Sequence, residues 1–165
     1  MPLLKLFLDI CLYRKGPQDL PASGFLFRLV LAAYLALGTL LLAPDVGWPQ
    51  AALQTATETV MSLAVVAALL YTVNRPKRFL QMAIAWLGTD ALISALGIPP
   101  LQLLAGFGAG ELLGILWLGL VGWHVAIMAH IVRHALSQPL PIGFVVAVLY
   151  TVVSFQLMAF LFPAP

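Results

Sequence analysis

FLFRLVLAAYLALGTLLLA, residues 25–43, holds a single charge, Arg28. Read as a helix, it is long enough to cross the hydrocarbon core of a bilayer, which takes about 20 apolar residues. Four later stretches, 51–73, 79–97, 111–135 and 141–162, have the same character. The gaps contain helix breakers. APDVGWPQ (43–50), VNRPKR (73–78) and SQPLP (137–141) each carry proline, and GIPPLQLLAGFGAG (97–110) has two prolines and four glycines. In that last connector, LQLLAGF reads as a short re-entrant piece or as an extension of the third span past a kink.

Composition agrees with five spans. The chain is 62% hydrophobic and 8% charged, against about 25% charged residues in an ordinary soluble domain. Its surface cannot be mostly polar, so lipid must surround most of it. The predicted fold is all-α: a polytopic membrane helical bundle forming one domain over 1–165, with a short interfacial amphipathic helix ahead of five transmembrane helices. A cleaved signal peptide does not fit, because the first long apolar run begins only near Gly24, behind a charged lead. A net charge of +2 is too small to suggest nucleic acid as a partner.

Position matters more than net charge. Lys5, Arg14, Lys15 and Arg28 precede or open the first span. Arg75, Lys77 and Arg78 lie between spans two and three, and Arg133 closes span four. With five spans all eight cations fall on one face, and the opposite connectors have none. The positive-inside rule then predicts a cytoplasmic N-terminus and an outward C-terminus. Trp48 and Phe162 suit the outer interface, Tyr13 and Tyr71 the inner one. Compactness and the lack of an organellar targeting pattern point to a bacterial inner membrane.

MPLLKLFLDICLYRK (1–15) is too short to span and reads as a helix lying in the inner interface, with Lys5 and Asp9 on a narrow polar stripe. YRKGPQDLPAS (13–23) is the hinge into the first span. Gly16-Pro17 resembles a helix C-terminus, and Ser23 an N-cap. Cys11 is a small apolar residue in this reading, with acylation as the sharper alternative. A single cysteine excludes an internal disulfide.

Carboxylates inside a span are costly and mark functional candidates. Glu58 in span two and Asp90 in span three both lie roughly 10–12 Å below the outer boundary. Gln156 in span five falls in the same layer. Gln54, Glu58 and Ser62 share a helical face, and Thr89 and Ser94 accompany Asp90. Either these residues form an outward-accessible pocket for a proton, a cation or a polar headgroup, or protonated Glu58 and Asp90 hydrogen-bond to neighbouring helices. His124, near mid-membrane beside Trp123, reads as an interior hydrogen-bonded histidine, with haem ligation or a proton relay as alternatives. His130 and His134 have a spacing that can serve a metal, but Arg133 repels one, so no metal is expected.

GFGAGELLG (106–114) follows no strand and precedes no lysine, which excludes a phosphate loop. Gly110 and Gly114 form a GxxxG pair that suits close helix packing. The chain has no Walker, HExxH or CxxC motif, and no enzyme or cofactor is expected.

The stretch LLGILWLGLVGWHVAIMAHIVRHALSQPLPIGFVVAVLYTVVSFQLMAF (112–160) resembles the bacterial branch of the Yip family. A tryptophan-containing span ends in a basic corner and is joined by a short Ser/Pro link to a final apolar span. The resemblance implies an integral membrane protein without established catalytic residues. The expected function is a non-enzymatic scaffold or accessory subunit that binds other membrane proteins or itself within the lipid bilayer. The alternative is a small transporter or proton- or cation-conducting element using Glu58 and Asp90.

Overall fold

The computed structural model describes residues 2–108 and 110–163. Among these the chain forms six α-helices: α1 (Pro2–Cys11), α2 (Gly24–Val46), α3 (Trp48–Thr72), α4 (Phe79–Gly106), α5 (Gly110–Leu136) and α6 (Leu140–Leu161). It is an all-α helical bundle, and α2 to α6 are each long and apolar enough to cross a membrane.

Helix α4 is the axis of the bundle. Every residue from Met82 to Ala91 is buried, so the helix is covered on all sides. Its small residues, Ala83, Ala85, Gly88 and Ala91, allow neighbours to approach. The outer helices bury single stripes instead. In α6 the stripe is Gly143, Ala147, Tyr150 and Ser154, and in α3 it includes Ala51, Thr55, Thr59, Ser62, Val66 and Leu70. These three- and four-residue steps follow the helical period.

Two helix boundaries depart from the sequence expectation. The break at 43–50 shrinks to one residue, Gly47, whose φ of +83° only glycine adopts readily. Pro44 stays inside α2, and Pro49 sits in the first turn of α3, where its missing N–H costs little. Likewise, span three does not end at Gly97. Helix α4 continues through Pro99 and Pro100 to Gly106, so 98–106 is helix and not a re-entrant loop. In a bilayer the helix keeps its remaining backbone bonds satisfied, which makes interruption costlier than two missing N–H groups. The turn to α5 is made near Gly108, at φ +67°; Ala109, in the expected connector, lies outside the described residues.

The N-terminal helix is docked as well as amphipathic. Phe7, Ile10 and Cys11 are buried against the bundle, while Leu3, Leu4, Leu8 and Leu12 face outward. The Phe7 ring occupies a notch over Gly88, where a Cβ would collide with it. Gly88 lies roughly 14 Å along α4 from Phe79, so α1 reaches well up the side of the bundle. Trp123 Nε1 of α5 donates to the Cys11 carbonyl at 3.2 Å.

Three helices end alike at the cation-bearing end, here called the basic end. Tyr13, Asn74 and Ser137 all have φ near +55°, and the residue after each closes a bond five residues back: Arg14 to Asp9, Arg75 to Leu70 and Gln138 to Arg133. This is the Schellman C-cap, with a left-handed residue at the turn. The C-terminus of α1 is therefore marked by Tyr13 and not by Gly16-Pro17. Gly16 instead donates its N–H to Asp19 Oδ2 at 2.8 Å, opening a short 3-10 turn. Ser23 is the N-cap of α2, accepting from the Leu26 N–H.

Candidate functional site: a polar chamber inside the bundle

Above the Trp86–Tyr150 layer the helices separate. A cavity of about 390 Å³ opens there, lined by α2 to α6, and a second of about 180 Å³ adjoins it. Glu58 and His124 are in the walls of both. Asp90 and Tyr34 line the smaller chamber; Gln54, Tyr150 and Ser154 line the larger. Leu41, Leu42, Trp117, Leu120, Phe155 and Met158 complete the larger chamber as apolar wall.

The polar groups gather at its inner end. Asp90 Oδ1 lies 3.1 Å from His124 Nδ1. This is ion-pair distance, yet no donor is aligned on Asp90 Oδ1 with hydrogen-bond geometry. The Asp90 side chain is 10% exposed and that of His124 is 24%. Leaving such an oxygen underpaired in a low-dielectric interior is costly. Among the described residues, Glu58 has no cation within ion-pair distance.

A packed layer closes the chamber below. Ser62 Oγ and Tyr150 OH are 2.7 Å apart. The Tyr150 ring meets Trp86 edge-on, with centroids 4.9 Å apart. Trp86 is fully buried, and its Nε1 has no partner among the described residues. Thr55, Thr59 and Thr89 bond back to carbonyls of their own helices, so their hydroxyls are satisfied locally even though Thr55 is in the wall of the smaller chamber.

The sequence-selected residues divide accordingly. Glu58, Asp90, Gln54 and His124 converge on the chambers. Gln156 does not: it is exposed on the outer side of α6. It has the right depth but the wrong azimuth, since two helical steps from Ser154 turn a side chain about 200°. Gly110 and Gly114 have no neighbour where a Cβ would stand, so they pack against nothing within the described chain. The close approach is made by Gly143, where a Cβ would meet the Ala129 carbonyl.

The cations lie away from the chambers. Arg78 donates to the carbonyls of His134 and Ala135 at 3.3 and 2.9 Å, and Arg75 and Arg78 both reach Ser137 Oγ. They neutralise the negative end of α5. His130 Nε2 is 2.8 Å from the Lys15 carbonyl, and its ring stacks edge-on with Tyr13 and His134. His130 therefore anchors the hinge. No group of three His, Cys, Asp or Glu among the described residues is placed to hold a metal ion.

Sequence reading missed Tyr34 and Tyr150. Both are mid-span, where a phenol needs a partner or a cavity, and that was the available signal. It also missed the Asp90–His124 pairing, which joins α4 to α5.

The fold and site define an integral membrane helical bundle with a one-sided polar chamber. Compared with known proteins, the chain matches no family, no curated protein and no solved structure.

Proposed function

We propose that this chain is a small transporter-type membrane protein that takes a cation or proton into the chamber from the end opposite its basic end. One observation carries this reading: Glu58, Asp90 and His124, from three different helices, meet in a cavity inside the bundle with Asp90 Oδ1 underpaired. Intramembrane carboxylates facing an internal cavity are typical of ion and proton pathways. The Trp86–Tyr150 layer closes the other side, so transfer requires the layer to open in a second conformation. Such a protein would sit in a bacterial inner membrane with the basic end cytoplasmic, as the cation asymmetry predicts. Its chemistry is binding and transfer, without a catalysed covalent step.

The test uses the full chain in proteoliposomes with an imposed gradient of protons or of a monovalent cation, inorganic or organic. Wild type is expected to dissipate the gradient, and Glu58→Gln and Asp90→Asn to lose most of that flux. Flux that both variants preserve refutes the reading. Reporter fusions at both termini test orientation: a cytoplasmic signal from the C-terminus overturns it.

A second reading is a membrane scaffold akin to the Yip-like proteins that residues 112–160 resemble. It is favoured by Gly110 and Gly114, where a Cβ would meet no neighbour among the described residues. Gly114→Leu should then abolish recovery of a stoichiometric partner or second copy, at unchanged expression.

A further inference from the structure

We infer that the chamber's ligand is an organic monocation with an apolar body, a protonated amine above all, and not an inorganic ion. This deepens the transport reading and rests on the same site.

Size comes first. A space of about 390 Å³ falls in the range of sites for small organic molecules, about 300–1,000 Å³. A bare cation needs far less room and a shell of oxygen ligands. The described residues offer no three-ligand group for a metal. A hydrated ion would be poorly served by walls of Leu41, Leu42, Leu120 and Met158.

The polar groups then fix the ligand's head. Asp90 and His124 are already set against each other at 3.1 Å. Glu58, without a cation within ion-pair distance among the described residues, is the carboxyl left for a ligand's cation to pair with. An ammonium head offers three donors, enough for Glu58, the underpaired Asp90 Oδ1 and a neighbouring hydroxyl or amide. Gln54, Tyr34 and Tyr150 are the nearby groups of that kind.

Access comes last. Trp117 and Phe155 line the chamber and are also 45% and 54% exposed, with ring centroids 6.1 Å apart. They form an exposed edge of the chamber on α5 and α6, in the half of the bundle away from the basic end. Both are apolar and aromatic, so a ligand already partitioned into the membrane can pass them, and a cation is attracted to their faces. The arrangement puts the apolar body against the outer walls and the ammonium against Glu58.

The experiment is calorimetric titration of the purified full chain in detergent. The probes are 4-phenylbutylamine, its neutral match 4-phenyl-1-butanol, and Na⁺ or K⁺. The amine is expected to bind saturably, and the alcohol about tenfold more weakly or worse. Glu58→Gln should remove that preference and leave alcohol binding unchanged. Leu42→Trp, which fills the chamber without adding or removing a charge, should abolish binding of both. Equal binding of amine and alcohol, or a preference that survives Glu58→Gln, overturns the inference. Should Glu58→Gln not fold, amine binding that survives Leu42→Trp overturns it alone. Displacement of the amine by millimolar Na⁺ or K⁺ also overturns it, with the inorganic-cation reading left standing. Amine binding without any flux in proteoliposomes sinks the transport reading instead and keeps the ligand assignment.

Discussion

Helix α5 changes character at its midpoint. From Ile127 to Leu136 nearly every side chain is buried; from Gly110 to Gly122 none is. The whole bundle follows that division. At the basic end, α1, the hinge and the helix termini wrap α4, and its polar groups find partners: His130 on Lys15, Gln81 on Leu20, Arg78 on the end of α5. At the far end α2 still touches α3 at Gly38 and Thr55, and α4 touches α5 at Gly97 and Leu120, but the helices enclose a space that holds Glu58, His124 and an underpaired Asp90. One half is built for stability, and the other keeps polar groups free for a ligand. Lipid offers no hydrophobic drive between helices, so close contact and hydrogen bonds hold the first half together.

The largest effect should come from exchanging a small residue in the tight half. Gly143→Leu would drive a side chain into the backbone of α5 at Ala129. It should eliminate the monodisperse species in gel filtration. Gly114→Leu, where a side chain meets open space, should leave the melting temperature unchanged. If both variants behave alike, the two halves are not differently packed.

Next comes Arg78→Ala. It strips the donor from two carbonyls at the end of α5 and from Ser137. Each hydrogen bond to a charged group is worth about 1.5–3 kcal/mol when partly buried. A loss of about 2 kcal/mol in reversible unfolding is expected, with Lys restoring only part because it lacks the planar fork. Full rescue by Lys would mean that charge alone matters.

Tyr150→Phe probes the layer between the halves. It removes the partner of Ser62 Oγ and should cost about 1 kcal/mol. An unchanged melting temperature would show that Ser62 is served by its own helix, through the Glu58 carbonyl 2.8 Å away.

Cys11 sharpens the comparison through pH. Burial pushes its thiol from 9.0 up to about 11, with the Asp90 charge adding to the effect. Below pH 9 the thiol is neutral in both folded and unfolded chain, so its contribution is fully present. Between pH 9 and about 11 the unfolded chain ionises first, and stability falls. Cys11→Ala should flatten that alkaline limb of the unfolding curve. Maleimide at pH 7.5 should label the thiol only after denaturation. Rapid labelling of the native protein would show that α1 is not docked.

The smallest effect should be at Asn74, which holds a left-handed cap at φ +54°. Asn74→Gly should stabilise the protein by about 0.5 kcal/mol. A destabilising result would mean that its side chain contributes something beyond the turn.

Much of this division was latent in the residues. Glu58, Asp90 and His124 were legible as intramembrane polar groups because hydropathy makes them exceptional. Their depth followed from counting along the helix. Gln156 shows the limit of counting: depth is set by sequence position, but azimuth depends on which face of α6 the other helices cover. Gly110 and Gly114 teach the same lesson. Their spacing suits close packing, yet packing needs a second helix opposite, and among the described residues Gly38, Gly88, Gly97 and Gly143 have one where Gly110 and Gly114 do not.

The long apolar helices, the gathering of cations at one end and the N-cap at Ser23 follow from local composition. That α4 is the axis, that Phe7 seats over Gly88 and that Asp90 meets His124 came from the packing. Those outcomes depend on contacts between residues far apart in the chain, and no local pattern specifies which helix faces which. The helix through Pro99 and Pro100 belongs with them, because the alternative, free backbone groups in lipid, is costlier than two absent N–H donors.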